Sequence, residues 1–334
     1  MRTVAPKQSQ LTPQERRWPW VSILSRVFKL LPRWLRERLI RSMIAIRPDE
    51  VRDITVQVAS TVGDLEAAAA ILHDAYVARG YTAPHESGVR VTPHLILPTT
   101  TTFVAKHEGR VIATMSLILD GPLGLPVEAV YGEEVVALRS EGRRLAEVGA
   151  LCVAKGYRRR GITVLLNKLM WRCAAELLRV DDLLIAIHPE AEDIYRGVLA
   201  FHRIGPRRAY PGLNKSAIGV LMRLALPTAV ALHRKTFGTR KSLSNPYHVF
   251  TQLQHDQILM PAGPDFLERI RLPRLSAALS LARARPDAFA DLTPQARSYL
   301  SSVLPAGALP PPAATDPVAV TGPQRSRVSG LTRR

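Results

Sequence analysis

One segment of the sequence combines an acidic residue with a loop suited to binding phosphate. Glu147 stands in the mostly apolar run 145–153, which is followed directly by an arginine-rich stretch that contains glycine. Where a strand leads through such a loop into a helix, backbone N–H groups, the helix dipole and arginine side chains together favour an anion. The predicted phosphate-binding residues are Arg158, Arg159, Arg160, Gly161, Ile162 and Thr163.

The position of Glu147 among apolar residues indicates a role in chemistry. The two-residue period of a strand predicts that Glu147 shares a face with Leu145, Leu151 and Val153. Burying an unpaired carboxylate among such side chains is costly. We therefore predict that Glu147 recognises an amine and acts as a general base, directly or through one water. A salt bridge to a neighbouring arginine is the alternative.

The periodicity of the chain around this segment predicts one mixed sheet flanked by helices. Helices that join strands require parallel neighbours, whereas hairpins require antiparallel ones, so the fold class is α/β (α+β). Asp64 is the predicted N-cap of the first helix in this region. Strands are predicted over 54–58, 101–107, 111–119, 145–153, 183–187, 201–208 and 217–226, and helices over 65–79, 133–139, 162–180 and 192–199.

Charge and composition divide the rest of the chain. Of 334 residues, 46 are basic and 28 acidic, and the excess lies at the ends, with a net charge of +7 over 1–50 and +8 over 226–334. Residues 1–50 read as a basic amphipathic arm, which either packs on the domain or lies on an anionic membrane surface. Residues 227–304 are a predicted helical extension, and 305–334 a predicted disordered tail rich in Pro and Ala.

Cysteine usage and the start of the chain bear on its environment. Two cysteines, Cys152 and Cys173, exclude a disulfide framework and a thiolate zinc site, and we read both as small buried hydrophobes. No secretion signal opens the sequence, so we expect a cytoplasmic protein, with the arm as a possible peripheral contact to the membrane. Basic ends suit an anionic partner, but without interleaved aromatic residues nucleic acid is the weaker choice.

The phosphate loop and several other runs resemble the GNAT acyltransferase superfamily, and within it the long-chain N-acyl amino acid synthases, which are relatives of the acyl-homoserine-lactone synthases. The resemblance covers about residues 54–226. Thr163 departs from the superfamily, which has a small residue there, and it would crowd a coenzyme A pyrophosphate. The runs that carry the narrower likeness are Pro98–Ala105, Leu138–Arg139, Gly142–Val148 and Tyr210–Asn214.

This resemblance implies a mostly antiparallel sheet with a central parallel pair of strands that splays apart, and an activity. The enzyme would transfer a long-chain acyl group from acyl carrier protein to the amine of an amino acid, without a metal or a permanently bound cofactor. The acyl-phosphopantetheine of acyl carrier protein, or acyl-coenzyme A, would be the co-substrate. Its arm would bind the exposed backbone of Leu151, Cys152 and Val153, where an N–H group can also serve the oxyanion.

The resemblance also assigns further residues. Tyr195 lies where many relatives place an acid that protonates the leaving thiolate, although a helical tyrosine is commonly a core residue. Phe103 and His188 are predicted to line the acceptor pocket, with capping or packing as the alternative for His188. Relatives in the homoserine-lactone branch carry Arg where this chain has Ala150, which argues against an S-adenosylmethionine acceptor.

Two rival functions are consistent with the same sequence. One is an ordinary acetyl-coenzyme A acetyltransferase that acts on a small amine or a protein. The other, of a different class, is a non-catalytic module that binds acyl carrier protein or a membrane. The choice of acyl donor distinguishes the first rival from a long-chain synthase. Donor binding without turnover would indicate the second.

Overall fold

The computed structural model of the chain describes residues 30–42, 51–158, 160–210 and 217–311. Its centre is a mixed sheet of eight strands, as the periodicity predicts. The strands are β1 (Ile54–Val58), β2 (Thr101–His107), β3 (Arg110–Leu119), β4 (Leu145–Val153), β5 (Asp182–Ile187), β6 (His202–Arg203), β7 (Arg208–Ala209) and β8 (Ile218–Ala225).

The sheet confirms the predicted combination of hairpins and crossovers. Its order is β1-β2-β3-β4-β5-β8-β6, with β7 also paired to β8, and every pair is antiparallel except β4 and β5. The β2–β3 hairpin closes through Glu108 and Gly109, both at positive φ (49° and 77°), as a tight hairpin turn requires. The parallel pair, β4 and β5, lies at the centre of the strand order.

Helices cover both faces of the sheet. They are α1 (Arg33–Ser42), α2 (Val62–Ala78), α3 (Glu128–Ser140), α4 (Ile162–Arg172), α5 (Glu192–Leu199), α6 (Leu226–Phe237), α7 (Phe266–Arg269), α8 (Arg271–Ala284) and α9 (Pro294–Val303). A π-helical turn, Cys173–Leu177, continues α4, so the helix predicted over 162–180 is present but changes its winding.

The beginning of α2 differs from the prediction. Thr61, not Asp64, is the N-cap, because its extended backbone (φ −121°, ψ 159°) turns its side chain to accept a hydrogen bond from the Asp64 N–H. Asp64 lies inside the first turn, where a carboxylate favours the helix dipole. Its side chain pairs with Lys106 of β2 at 2.7 Å, so it ties the start of α2 to the sheet.

Two apolar clusters occupy the two faces of the sheet. Between the sheet and α4, Phe103, Met115 and Leu183 are fully buried together with Leu165 and Leu169 of the helix. On the opposite face, a second cluster joins α3 to the middle strands, and α2 lies beside it. The members of this second cluster are Ile118, Leu125, Val127, Tyr131, Val135, Leu138, Leu145, Leu184 and Leu221.

The residues after β8 pack closely on the domain. Residue Val56 of the edge strand β1 donates to Gln257 O (2.7 Å) and accepts from Leu259 N–H (2.9 Å), so the extension covers that edge. Helix α8 packs on α2, where Ser280 donates to Glu66 (2.6 Å). Buried Arg274 of α8 donates to Leu97 O at 3.0 Å. The region predicted as a helical extension therefore supports the sheet and α2.

The predicted arm is described only over residues 30–42. There α1 packs against α5, with Ile40 buried beside Val198 and an ion pair between Arg36 and Asp193 at 3.0 Å. The remainder of the arm, and residues 312–334 of the predicted tail, lie outside the described residues. None of the helices in the described ranges is both long and apolar enough to cross a membrane.

Candidate active site

The parallel strands β4 and β5 part immediately after Glu147. They pair only through Leu145, Ala146 and Glu147, whose partners are Asp182, Leu183 and Leu184. Beyond that point β5 pairs with β8, and β4 with β3, along their outer edges. The predicted splay is therefore present, and the facing backbone edges of both strands are open from Glu147 onward.

A bulge in β4 lies within the splayed region. Ala150 has a φ of 52°, and the β3–β4 register shifts between Thr114 and Ser116. The extra residue reverses the alternation of side chains. As a result Leu151 and Val153 pack towards α4, whereas Cys152 packs with Leu72 of α2. The prediction that Glu147 shares a face with Leu151 and Val153 is therefore wrong, because it assumed an unbroken two-residue period.

The splay opens into a cavity of about 530 Å³ on the α2 side of the sheet. Its walls come from the middle strands of the sheet, from α2 and the loop after it, and from the start of α3. Polar groups on these walls include Glu147, Tyr76, Tyr81, Arg90, His188 and Tyr210, among apolar residues Leu72, Leu95, Ile118, Pro126, Ala186 and Ile187.

Glu147 is the acidic group of this cavity, and its side chain is held from one side. Only 8% of the residue is exposed, and its Oε2 accepts a hydrogen bond of 2.7 Å from the Val127 N–H. Desolvation raises the pKa of Glu147 to about 8, although the Val127 hydrogen bond acts in the opposite direction; the nearby Glu128 adds to the increase. Within the described ranges no Lys or Arg lies within 4 Å of its carboxylate, so the alternative salt bridge is not formed.

The loop that presents Val127 is itself fixed by ion pairs. Arg139 of α3 contacts Asp120 (2.8 Å) and Glu128 (2.6 Å), and Glu128 also accepts from the Leu125 N–H. These contacts join the loop after β3 to the body of α3. Arg139, which belongs to one of the family-like runs, is therefore connected to Glu147 only through the loop that carries Val127.

Tyr210 brings a second polar group towards Glu147. Its hydroxyl is buried and has no hydrogen-bond partner among the described residues. Desolvation, followed by the proximity of Glu147, raises the pKa of Tyr210 far above its usual range, so it stays protonated. The Tyr210 ring packs closely against Gly219. A side chain on residue 219 would not fit there, because its Cβ would lie 2.5 Å from the Tyr210 ring. Tyr210 also forms part of the cavity wall.

The phosphate loop follows β4, as the sequence predicts. Gly161 is the N-cap of α4 at a φ of 77°, which favours glycine, and Ile162 anchors the helix start because it is buried in the α4-side core. Thr163 and the arginines 158 and 160 are exposed. Arg158 Nε donates to Val153 O (3.3 Å), and the Arg160 guanidinium lies 5.2 Å from the Tyr157 ring centroid. Arg159 lies outside the described residues.

The structure does not bring every predicted residue to the cavity. Phe103 is fully buried on the α4 side, because alternation along β2 directs it away from the face that carries Glu147. Tyr195 packs edge-to-face on Phe201 with ring centroids 5.9 Å apart, and burial raises its pKa. Neither is among the described residues that line the cavity, so their roles stay predictions.

His188 caps a short helix at the edge of the cavity, and its predicted role in binding the acceptor stays a prediction. It lines the cavity, and it also caps the short 3₁₀ helix Pro189–Ala191, where its Nδ1 accepts from the Glu190 N–H at 3.3 Å. The cysteines are buried, as expected, and burial raises the pKa of both thiols, to about 12 for Cys173. In the described ranges, no group of three His, Cys, Asp or Glu side chains is placed to hold a metal ion.

Sequence reasoning did not single out Tyr76, Tyr81 and Arg90. They come from the end of α2 and the loop that follows it, where the spacing of residues carries no periodic signal. Only the fold of the loop over the open edge of β4 brings these side chains to the cavity.

The parted strands and the glycine-capped helix after β4 give this domain the arrangement expected of a GNAT-type acyltransferase. A family model described as N-acyl amino acid synthase FeeM matches residues 67–225, which include every strand except β1. The narrower resemblance identified from the sequence is therefore confirmed over just under half of the chain. No curated protein matches the sequence significantly.

Solved structures of several acyltransferases are similar to this chain. FeeM, an N-acyl amino acid synthase from uncultured soil microbes, is 26% identical, with a TM-score of 0.48 over 53% of this chain and 93% of its own. The coenzyme A-dependent acyl-homoserine lactone synthase BjaI is 14% identical (TM-score 0.44, 66% and 99%). An acyl-CoA N-acyltransferase from Pseudomonas aeruginosa is 16% identical (TM-score 0.35, 52% and 99%).

Proposed function

We propose that this acyltransferase moves a long-chain acyl group from the phosphopantetheine thioester of acyl carrier protein to the amine of an amino acid. The observation that carries the proposal is the buried carboxylate of Glu147, which sits where β4 and β5 part and faces a cavity large enough for a small acceptor. A general base at that point lies beside the open strand edge on which a thioester arm would lie.

The reaction follows from these positions. The acceptor enters as an ammonium group and gives a proton to Glu147, whose pKa of about 8 lies close to the range in which α-amino groups titrate. The neutral amine attacks the thioester carbonyl, a C–N bond forms, and a backbone N–H of the open β4 edge donates to the oxyanion. The C–S bond then breaks, and the departing thiolate takes up the proton that the attacking nitrogen loses as the amide forms, while Glu147 returns its own proton to solvent.

The donor would enter from the phosphate loop. From Glu147 to Val153 the strand spans about 20 Å at the usual rise per residue, comparable with an extended phosphopantetheine arm. Exposed Arg158 and Arg160 stand at the far end of that path, beside the N-terminus of α4. A single phosphate there is compatible with Thr163, and a basic surface suits the acidic acyl carrier protein.

The test is a parallel donor assay with the purified protein. Palmitoyl-acyl carrier protein and acetyl-coenzyme A are each incubated with a mixture of the twenty amino acids, and products are identified by mass spectrometry. We expect N-palmitoyl amino acids from the first donor and at most traces of product from the second. Product from acetyl-coenzyme A alone would replace the proposal with an acetyltransferase, and donor binding without turnover would indicate a binding module.

We propose further that the arm brings the enzyme to an anionic membrane surface, where an amphiphilic product would partition. Support comes from α1, which buries Ile40 against α5 but leaves Trp34 63% exposed, and from Leu30 just before it, which is 83% exposed. An exposed tryptophan on a basic helix is typical of interfacial binding. The double change Leu30→Ser and Trp34→Ser should reduce co-sedimentation with anionic vesicles, and unchanged co-sedimentation would remove the idea.

A further inference from the structure

Arg90 is the cationic group on the wall of the Glu147 cavity. It follows α2 in the chain and is held by a backbone hydrogen bond from its own N–H to Ala69 O (3.0 Å). Its guanidinium stacks 4.1 Å above the ring of Tyr76, which orients it along the cavity wall. The side chain is partly buried, so its position is defined by packing rather than by solvent.

No acidic side chain of the described ranges lies within 4 Å of the Arg90 guanidinium. The neighbouring charge is Arg285, which is also positive, and burial followed by this repulsion lowers the pKa of Arg90, partly offset by Tyr76. A partly desolvated guanidinium without a carboxylate partner is destabilising, and an anionic ligand bound to it would offset that loss of stability. Arginine binds carboxylates in a planar, two-pronged geometry.

The two charged groups of the cavity are complementary to an amino acid. Glu147 is suited to the ammonium group, and Arg90 to an anion. A free amino acid carries both charges on one carbon, whereas a simple amine, a polyamine or the N-terminus of a protein carries no adjacent carboxylate. The pair therefore selects among acceptor classes, a question that the general base alone does not decide.

We propose that Arg90 binds the α-carboxylate of the acceptor and restricts the enzyme to free amino acids. The inference rests on the proposed function and goes further, because it assigns a specificity-determining residue that the loop sequence gave no reason to select. Tyr76, under the guanidinium, holds Arg90 in position.

The test compares the best amino acid acceptor with its primary amide, which keeps the amine and the side chain but lacks the negative charge. In Arg90→Met we expect kcat/KM for the amino acid to fall by about tenfold or more, mainly through KM, because one charge-assisted contact is lost. The value for the amide should stay within about twofold of that of the parent. Arg90→Lys keeps the positive charge but not the two-pronged geometry of the guanidinium, so its kcat/KM for the amino acid should lie between those of the parent and Arg90→Met.

Arg285→Gln is the matched control. Arg285 Nη1 donates to Val89 O (2.9 Å), so this change loosens the same loop without removing a cavity group. We expect the acid-to-amide ratio in this variant to match that of the parent. Three outcomes would overturn the assignment. The first is that Arg90→Met loses kcat/KM equally for the amino acid and its amide. The others are the same change of the acid-to-amide ratio in Arg285→Gln, or an effect of Arg90→Met on KM for the acyl donor alone.

The same experiment separates this inference from the function on which it rests. If the parent enzyme acylates no amino acid, the proposed function fails and the inference with it. If the parent acylates amino acids and the ratio does not change in Arg90→Met or Arg90→Lys, only the role of Arg90 is refuted.

Discussion

The backbone N–H of Val127 donates a 2.7 Å hydrogen bond to Oε2 of Glu147, across the loop that begins α3. Two influences on Glu147 therefore oppose each other: burial favours the neutral acid and the N–H favours the carboxylate, and burial is the larger. The group consequently titrates near the physiological range instead of staying ionised. One oxygen is occupied by Val127, which leaves the other for a substrate ammonium group.

The first prediction concerns the activity of Glu147→Gln. The amide is nearly isosteric and can still accept from Val127, but it cannot take a proton, so acyl transfer should fall by about 10²- to 10⁴-fold. In the parent, kcat/KM should rise with pH through an apparent pKa near 8, because the base must be ionised. Steady-state rates between pH 6 and 9.5 would measure both effects.

Glu133→Gln is the control for this experiment, since Glu133 is exposed on α3 and carries the same chemical change. Its rates and pH profile should match those of the parent. Acyl transfer by Glu147→Gln within twofold of the parent, or an unchanged pH profile, would exclude Glu147 as the base.

The second prediction is that Glu147→Gln changes the pH dependence of stability. A carboxyl group whose pKa is raised by folding from about 4.5 to about 8 contributes stability that is present below pH 4.5 and is lost as the pH rises towards 8. The variant has no such loss. The difference in free energy of unfolding, variant minus parent, should therefore increase between pH 5 and 8, by up to about 5 kcal/mol.

Urea denaturation at several pH values would measure this difference. The parent and the variant should be closest in stability near pH 4.5. A constant difference between them across the range would show that Glu147 has its ordinary pKa in the folded protein.

The sequence was sufficient for the order of the elements and for the position of the loop between β4 and α4, because hydrophobic periodicity and the glycine-arginine loop are local signals. Residue Ala150 shows where that reasoning stops. An alanine at positive φ has no local signature, yet the bulge that it forms decides which of Leu151 and Cys152 packs towards α2. The prediction of the α2 N-cap was wrong for a similar reason. Thr61 and Asp64 are both residue types that cap helices well, and only the path of the backbone determines which of them is the cap.

The cavity walls were beyond local reasoning altogether. Arg90 and Tyr76 are separated along the chain from Glu147, and only the packing of α2 and the loop after it against the sheet brings them to the same cavity. Phe103 illustrates the converse. It lies in a run that resembles the family, but its face of β2 belongs to the core. A resemblance locates a segment, whereas the direction of each side chain depends on the pleat.

The third prediction concerns Asp182, which anchors the start of the parallel pair. The carboxylate is fully buried and pairs with Arg143 (2.6 Å) and Arg223 (2.9 Å). Burial alone would raise the pKa of Asp182, but the hydrogen bonds from the two arginines lower it overall. Asp182→Asn leaves both guanidinium groups without their charge partner and should cost about 3–5 kcal/mol at pH 7.

The effect of Asp182→Asn should depend on pH in a defined direction. Because folding lowers the pKa of Asp182, its contribution to stability is present above its ordinary value of 3.8 and is lost as the pH falls through the folded-state value. Denaturation curves should therefore converge for parent and variant in acid. Asp181→Asn is the control, since the Asp181 carboxylate accepts a hydrogen bond of 2.9 Å from the backbone N–H of Arg144, which is exposed.

The fourth prediction concerns the phosphate loop between β4 and α4. Arg158 and Arg160 are exposed beside the start of α4, so each would contribute to phosphate binding through a solvent-screened contact. Arg158→Gln and Arg160→Gln should each raise KM for palmitoyl-acyl carrier protein about three- to tenfold at low salt, with kcat unchanged and a smaller effect at high salt. Arg110→Gln, an exposed change in the β2–β3 hairpin, is the control for net charge. An equal increase in KM for Arg110→Gln would attribute the effect to the general positive field, and no increase in either loop variant would place the phosphate elsewhere.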